Sequence, residues 1–262
     1  MMEYKCLVEE VATKYSKDIP GGRYSNNEPF VLRWCEECKE INLWTYWQGR
    51  NNPGHKADIL LIGQDWASPW ETKNGSLRED VRYILKSDDG CSGRYINSVN
   101  NKSFPTDVML VKLFRSLGSE YDPYIEDNDK LFFTNLCLGY RNYGASGGLY
   151  KRCLNEDVPF IEELIKIVEP KLIICLGKDT YEAFVKKTKS VPASLEKNFY
   201  KRFIDGMNYA IYDGNIPVYG QAHPGTFGAS NRKRYNNDPE SDYKSGEDLM
   251  IDDWAHMKKW LK

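Results

Sequence analysis

The sequence has no long hydrophobic run: none of its apolar stretches approaches the roughly 18 residues that a membrane-spanning helix needs. It also lacks a strong charge of either sign, because 36 Lys and Arg residues stand against 38 Asp and Glu residues. The net charge of −2 excludes a global basic field that would attract nucleic acid, so any site for a polyanion must be a local patch. We therefore expect a soluble protein.

The cysteines do not suit a complete disulfide framework, because their number, seven, is odd. No charged-then-apolar leader precedes the first residues, and together these features favour the reducing cytoplasm, with thiols that are free or bound to metal. The 262 residues, 41% hydrophobic and 28% charged, have the composition of an ordinary globular protein. We expect a single domain over residues 1–262.

No internal repeat is visible, and no G-x-G-x-x-G follows any predicted strand, so a dinucleotide-binding fold lacks its fingerprint. Strands and helices alternate instead. A buried strand is predicted at Ile59 to Ile62, ending at Gly63, and further strands at 131–135 and 171–177. Residues 209–212 and 217–219 flank an Asp-Gly-Asn turn and are typical of a hairpin. The alternation predicts an α/β protein with a parallel, doubly wound sheet.

Three predicted strands end in distinctive polar residues. Asp65 follows the first strand, Asn135 ends the second, and His223 follows the last. Because the carboxyl ends of parallel strands meet at one edge of a sheet, these residues are expected to line one crevice. Each of them alone is also common in an ordinary turn.

The same residues resemble the two motifs of the uracil-DNA glycosylase superfamily: Gly63-Gln64-Asp65 after a buried strand and His223-Pro224-Gly225 after the last one. Asn135 matches the family's strand-end Asn that reads the uracil edge, and Phe104 matches the aromatic residue on which the flipped uracil stacks. The resemblance extends from about Cys35 to about Arg232. It implies a single-domain, three-layer αβα fold with a central, mainly parallel, four-stranded sheet.

The resemblance implies that the chain removes uracil, or a related deaminated base, from DNA during base excision repair. Asp65 would orient the water and His223 would donate a hydrogen bond to uracil O2, as catalytic residues. Gly63, Gln64, Phe104 and Asn135 would bind the flipped base. The implied partner is damaged DNA, and we expect a monomer.

Four cysteines are the candidate metal ligands. Cys35 and Cys38 form a C-x-x-C, which by itself is equally typical of a redox pair, half a metal site or two unrelated thiols. Cys137 and Cys153 follow Asn135, and this order is similar to the iron–sulfur branch of the superfamily. That similarity implies a [4Fe–4S] cluster on these four residues, although four thiolates also suit zinc.

Residues after His223 are candidates for contact with DNA. Phe227 stands where relatives place an apolar wedge, and Arg232 and Lys233 follow. Arg234, together with Arg141 and the neighbouring Lys151 and Arg152, is a further candidate for phosphate contact.

Two departures from the family pattern leave alternatives open. Trp66-Ala67 follows Asp65 where relatives carry other residues, and Gly225 replaces a Ser. The identity of the base, and the exclusion of thymine, therefore stay open. The alternatives are a DNA-binding protein of the same fold that does not cleave or that traps its substrate covalently, and a flavodoxin-like protein unrelated to DNA.

Overall fold

A computed structural model gives the fold over residues 2–42, 55–66, 68–72, 75–79, 81, 105–123, 125, 129–144, 148–236 and 241–262. The strands in these residues are β1 Ile19–Arg23, β2 Pro29–Arg33, β3 Ile59–Trp66, β4 Leu131–Arg141, β5 Gly148–Leu149, β6 Leu172–Leu176, β7 Val191–Pro192, β8 Tyr209–Tyr212 and β9 Ile216–Gln221. The helices are α1 Tyr4–Lys14, α2 Pro105–Leu117, α3 Lys151–Glu156, α4 Val158–Val168, α5 Lys178–Thr188, α6 Thr226–Arg234 and α7 Gly246–Ala255. Short 3₁₀ helices lie at Ser119–Tyr121, Phe199–Phe203 and His256–Trp260.

All nine strands belong to one sheet, in the order β5-β1-β2-β4-β3-β6-β9-β8-β7. The four central strands, β4, β3, β6 and β9, pair in parallel, and antiparallel strands extend the sheet on both sides. The expected α/β class with a mixed, mainly parallel centre is confirmed. The expected number of four strands is wrong for the whole sheet, which has nine in the described residues.

Helices pack on both faces of the sheet because the central strands are apolar on both sides. On one face, Ile59 and Leu61 pack in a cluster with residues of α2 and α7, where Phe114 meets Trp254 edge-on at 5.2 Å between ring centroids. On the other face, Leu60 and Ile62 pack with residues of α1, α4 and α5.

The two strands that carry the first motif and Asn135 are longer than predicted. β3 runs through Gly63 to Trp66, so Gly63, Gln64 and Asp65 lie within a strand and not in a turn beyond it. β4 continues to Arg141, and every residue in it is buried. The polar residues belong to these strands because β3 and β4 pair with each other through this stretch, Gly63 with Asn135 and Asp65 with Cys137, and this pairing outweighs their low strand propensity.

The predicted helices after β4 and β6 are present as α4 and α5, and the predicted hairpin is formed by β8 and β9. Cys153 lies in α3, a short helix that directly precedes α4. Thr106 lies in the first turn of α2, which begins at Pro105. In the part of the chain that the structure describes, no helix is both long and apolar enough to cross a membrane.

Candidate active site at the carboxyl edge of the sheet

The amide of Asn135 lies directly over the backbone of Gly63. The two residues are paired in the parallel ladder between β3 and β4. A Cβ atom placed on Gly63 would come within 2.2 Å of Asn135 Oδ1, so the close approach requires glycine here. Asn135 is only 4% exposed, and within the described residues its side chain forms no hydrogen bond. An amide whose donor and acceptor are not used by other described residues is available to a ligand.

Asp65 forms a buried ion pair two residues further along β3. Arg141 Nε donates a hydrogen bond to Asp65 Oδ2, and the guanidinium lies 4.4 Å above the ring of Phe30. Burial raises the pKa of Asp65 above its ordinary value, and Arg141 offsets part of that rise. Arg141 is buried within β4, so it does not reach the surface where we expected it to contact a phosphate.

His223 follows the end of β9 and is held by its own loop. The backbone N–H of Gly225 donates a hydrogen bond to His223 Nδ1 over 3.1 Å. In the neutral ring Nδ1 is therefore the acceptor, and Nε2 carries the proton. Although His223 is exposed as a residue, partial burial of the ring lowers its pKa, which favours that neutral form. An N–H donor at Nε2 is thus available to a ligand.

The strand register relates the positions of these groups, because Gly63 and Asn135 lie level with the ends of β6 and β9. Gly63 pairs with Asn135, and Leu176 at the end of β6 pairs with Gln221 at the end of β9. Asp65 and His223 each lie two residues beyond that level. Because neighbouring strands are about 4.8 Å apart, β3 and β9 are separated by roughly 10 Å across β6. That gap is wide enough for a planar base.

Gln64 and Trp66 point away from this group. Strand alternation places Gln64 and Trp66 on the face opposite Gly63 and Asp65. The Trp66 ring is buried there against Tyr140, with 4.9 Å between ring centroids. Trp66 therefore does not lie beside the Asn135 amide, and Gln64 is left with only its backbone as a contact for a base. Phe104 lies outside the described residues, as do most of 68–102, including part of the helix expected from Leu77.

The three expected DNA-binding residues differ in accessibility. Phe227, in the first turn of α6, is 88% exposed. Arg232 is buried, donates two hydrogen bonds to the carboxylate of Asp253, and lies 5.2 Å from the Phe203 ring. Lys233 donates to the backbone carbonyl of Asp242. Arg232 thus packs α6 onto α7, and its guanidinium does not face solvent.

The four candidate metal ligands belong to one apolar cluster, but their sulfur atoms have different neighbours. Cys35 and Cys38 form a disulfide bond. Cys137 is fully buried 3.9 Å from the hydroxyl of Tyr15, whereas Cys153 Sγ lies 3.7 Å from the carbonyl oxygens of Pro20 and Gly21. Burial raises the pKa of both thiols.

No three Cys, His, Asp or Glu residues among those described form a group that could hold a metal ion. The [4Fe–4S] cluster stays a prediction, and binding it through all four cysteines would require that the Cys35–Cys38 bond is reduced to thiolates.

Arg141 is the site residue whose role the sequence did not reveal. Its partner Asp65 is on another strand, and no spacing rule links the two. The only signal was a charged residue near the end of a run that is otherwise apolar.

Comparison with known proteins adds no identification. No protein-family model matches the chain, and no curated protein matches it.

Proposed function

We propose that this protein is a DNA glycosylase that releases uracil, or a related deaminated base, by hydrolysing the N-glycosidic bond. The observation that carries the proposal is the buried amide of Asn135, which has no hydrogen bond within the described residues and lies over Gly63 at the same sheet edge as Asp65 and His223. The resemblance of these motifs to the uracil-DNA glycosylase superfamily supports the assignment.

Asn135 supplies base recognition. Its amide offers one acceptor and a pair of donor hydrogens, which match the adjacent N3–H and O4 of uracil. Cytosine presents an amino group and an unprotonated nitrogen at the same edge, so one pairing becomes a clash of like groups. Discrimination of this kind is large because the mismatched polar groups stay buried and unpaired.

His223 and Asp65 supply the chemistry. As the bond between the base and C1′ breaks, negative charge develops on the base, and the Nε2–H of His223 donates a hydrogen bond to O2. Positive charge develops on the sugar, and the Asp65 carboxylate stabilises it and orients the attacking water. The water oxygen bonds to C1′, and its released proton balances the charge of the departing base.

A base-release assay tests the proposal. Uracil-containing single-stranded and duplex DNA is incubated with the protein, and abasic sites are then cleaved and counted. Replacing His223 with Ala should lower the rate by about 100-fold or more, and Asp65→Asn by a comparable factor. His256→Ala, at the exposed start of the C-terminal 3₁₀ helix, is the matched control and should leave the rate unchanged. No release by the unmodified protein from DNA containing uracil, hypoxanthine or xanthine would refute the proposal.

One observation favours a second candidate, a protein of the same fold that binds damaged DNA without cleaving it. The ion pair with Arg141 already engages Asp65 Oδ2, which removes part of the carboxylate's capacity to orient water. Retention of uracil-containing DNA without free uracil in the same assay would support this candidate.

A further inference from the structure

A cavity of about 600 Å³ lies beside the His223 loop, between α6, the start of α7 and α2. We call it the α6–α7 cavity. Pro224 and Gly225 of the His223 loop line one side of it, and Met109 of α2 lines another. The remaining lining residues are Thr226, Ala229, Ser230, Lys233 and Arg234 of α6, and Ser245, Gly246 and Glu247 at the start of α7. The cavity is thus continuous with the loop that holds the candidate catalytic histidine.

Of the two described basic residues that line the α6–α7 cavity, Lys233 and Arg234, one forms no ion pair with a described residue. Lys233 is held by Asp242, and Glu247 forms an ion pair with Lys112 over 3.2 Å. Arg234 is exposed, lies 5.8 Å from the ring of Tyr235, and forms no ion pair with any described residue. Its guanidinium is therefore free to bind a phosphate.

Two exposed aromatic residues lie close in sequence to residues that line the α6–α7 cavity: Phe227 follows Thr226, and Tyr243 is two residues before Ser245. Phe227 leads α6 and is 88% exposed. Tyr243 is 83% exposed and lies between Asp242, whose carbonyl accepts from Lys233, and Ser245, which lines the cavity. Along α6, Phe227, Ser230 and Arg234 lie on one exposed face at the i, i+3 and i+7 positions, whereas Gly228 and Arg232 are buried on the other.

Exposed aromatic faces, a free guanidinium and hydroxyl groups around an open cavity are the features that bind single-stranded nucleic acid. A base stacks on an aromatic ring regardless of its identity, and a nearby cation binds the backbone. A base within a duplex remains paired and stacked, so it is not available to fill a cavity of this kind.

We propose that the α6–α7 cavity is a second nucleotide subsite, which takes an unstacked nucleotide of a single DNA strand with its base against Tyr243 and its phosphate at Arg234. The inference rests on the proposed function, because the strand that reaches His223 is taken to be DNA. The inference adds a preference: the protein should bind single-stranded DNA more tightly than duplex DNA.

Binding of undamaged DNA tests this inference separately from base release. A fluorescently labelled oligothymidine of about eight nucleotides and its duplex with oligoadenine are titrated with the protein, and anisotropy is followed. The single strand should bind at least about tenfold more tightly than the duplex. Tyr243→Ala should weaken that binding by about fivefold or more, and Tyr243→Trp should restore it. Leu195→Ala, which shortens an exposed apolar side chain elsewhere, is the matched control and should have no effect.

The salt dependence supplies a second readout. Arg234→Gln should reduce the slope of log K against log salt by about 0.7, the value for one phosphate contact on a single strand. Equal or tighter binding of the duplex, or unchanged binding by Tyr243→Ala, would overturn the inference even if uracil is released. If no base is released but the single strand binds through Tyr243 and Arg234, the subsite stands and the proposed reaction fails.

Discussion

Gly63 decides where the Asn135 amide can lie. A methyl group on Gly63 would overlap Asn135 Oδ1, so Gly63→Ala must displace the amide. We expect base release to fall by about 100-fold, because displacements near 1 Å in a binding group have effects of that size. Single-turnover release measures the effect. Gly148→Ala is the matched control, since nothing lies within 4 Å of its added methyl group and it should release base at the normal rate. Normal release by Gly63→Ala would mean that Asn135 does not read the base.

Glu40 makes the stability of the protein depend on pH. Its carboxylate accepts hydrogen bonds from the hydroxyl of Tyr4 and from the backbone N–H groups of Ile41 and Asn42. Burial nevertheless raises its pKa above the ordinary value of 4.5. A raised folded pKa gives a contribution that is fully present below pH 4.5 and lost as pH rises through the folded value.

Glu40→Gln removes this ionisation and keeps an acceptor oxygen. The free energy of unfolding of the variant should therefore rise relative to the unmodified protein as pH increases above 4.5. Urea unfolding at several pH values measures the difference. A difference that is constant over this range would show that Glu40 has the same pKa in both states.

At the scale of elements, the buried carboxylate of Asp157 links the end of α1 to the sheet. Asp157, at the start of α4, accepts from the Tyr15 hydroxyl and from the Leu138 backbone N–H of β4, each over 2.6 Å, and pairs with Lys14. Asp157→Ala should lower the free energy of unfolding by about 3 kcal/mol, because it leaves these buried partners unpaired.

Asp157→Asn, which keeps an acceptor, should be less destabilising, and Asp205→Ala at an exposed position is the control. Equal stability of the Asp157→Ala and Asp205→Ala variants would show that Asp157 does not hold α1 in place.

The elements that could be predicted from sequence are those with local signals. The β8–β9 hairpin follows from its Asp213-Gly214 turn, where both residues adopt positive φ, and α2 ends at Leu117, directly before Gly118, a residue type common at helix ends. β1 and β2 were missed because Ile19–Arg23 contains Pro and two Gly, and they are ordered by long-range pairing. The same kind of pairing extends β3 and β4 past Gly63 and Asn135, which the turn propensities of these residues do not indicate.

For the site, the sequence motifs singled out Asp65, Asn135 and His223, and the strand register pairs Asn135 with Gly63. They did not locate the buried partners. In the sequence, Arg141 and Arg232 cannot be distinguished from a surface cation such as Arg234. Only the fold shows that Arg141 is paired with Asp65 and Arg232 with Asp253.

At the scale of the whole molecule, the cysteines provide a test of the predicted iron–sulfur cluster. If the resemblance to the iron–sulfur branch holds, protein purified without oxygen and with the Cys35–Cys38 bond reduced should be brown and contain about four irons per chain. Cys153→Ser should lower the iron content, and Cys6→Ser, at an exposed position, should not. A colourless reduced protein, with zinc or without metal, would contradict the iron–sulfur prediction.

Both outer strands of the sheet, β5 and β7, are only two residues long. β7 also ends in Pro192, which has no N–H group to offer to an incoming strand. A sheet of nine strands with long, open edges would recruit copies of itself, and short edges prevent such recruitment. Neighbouring copies therefore find little free backbone to pair with, and the protein should stay monomeric even at high local concentration.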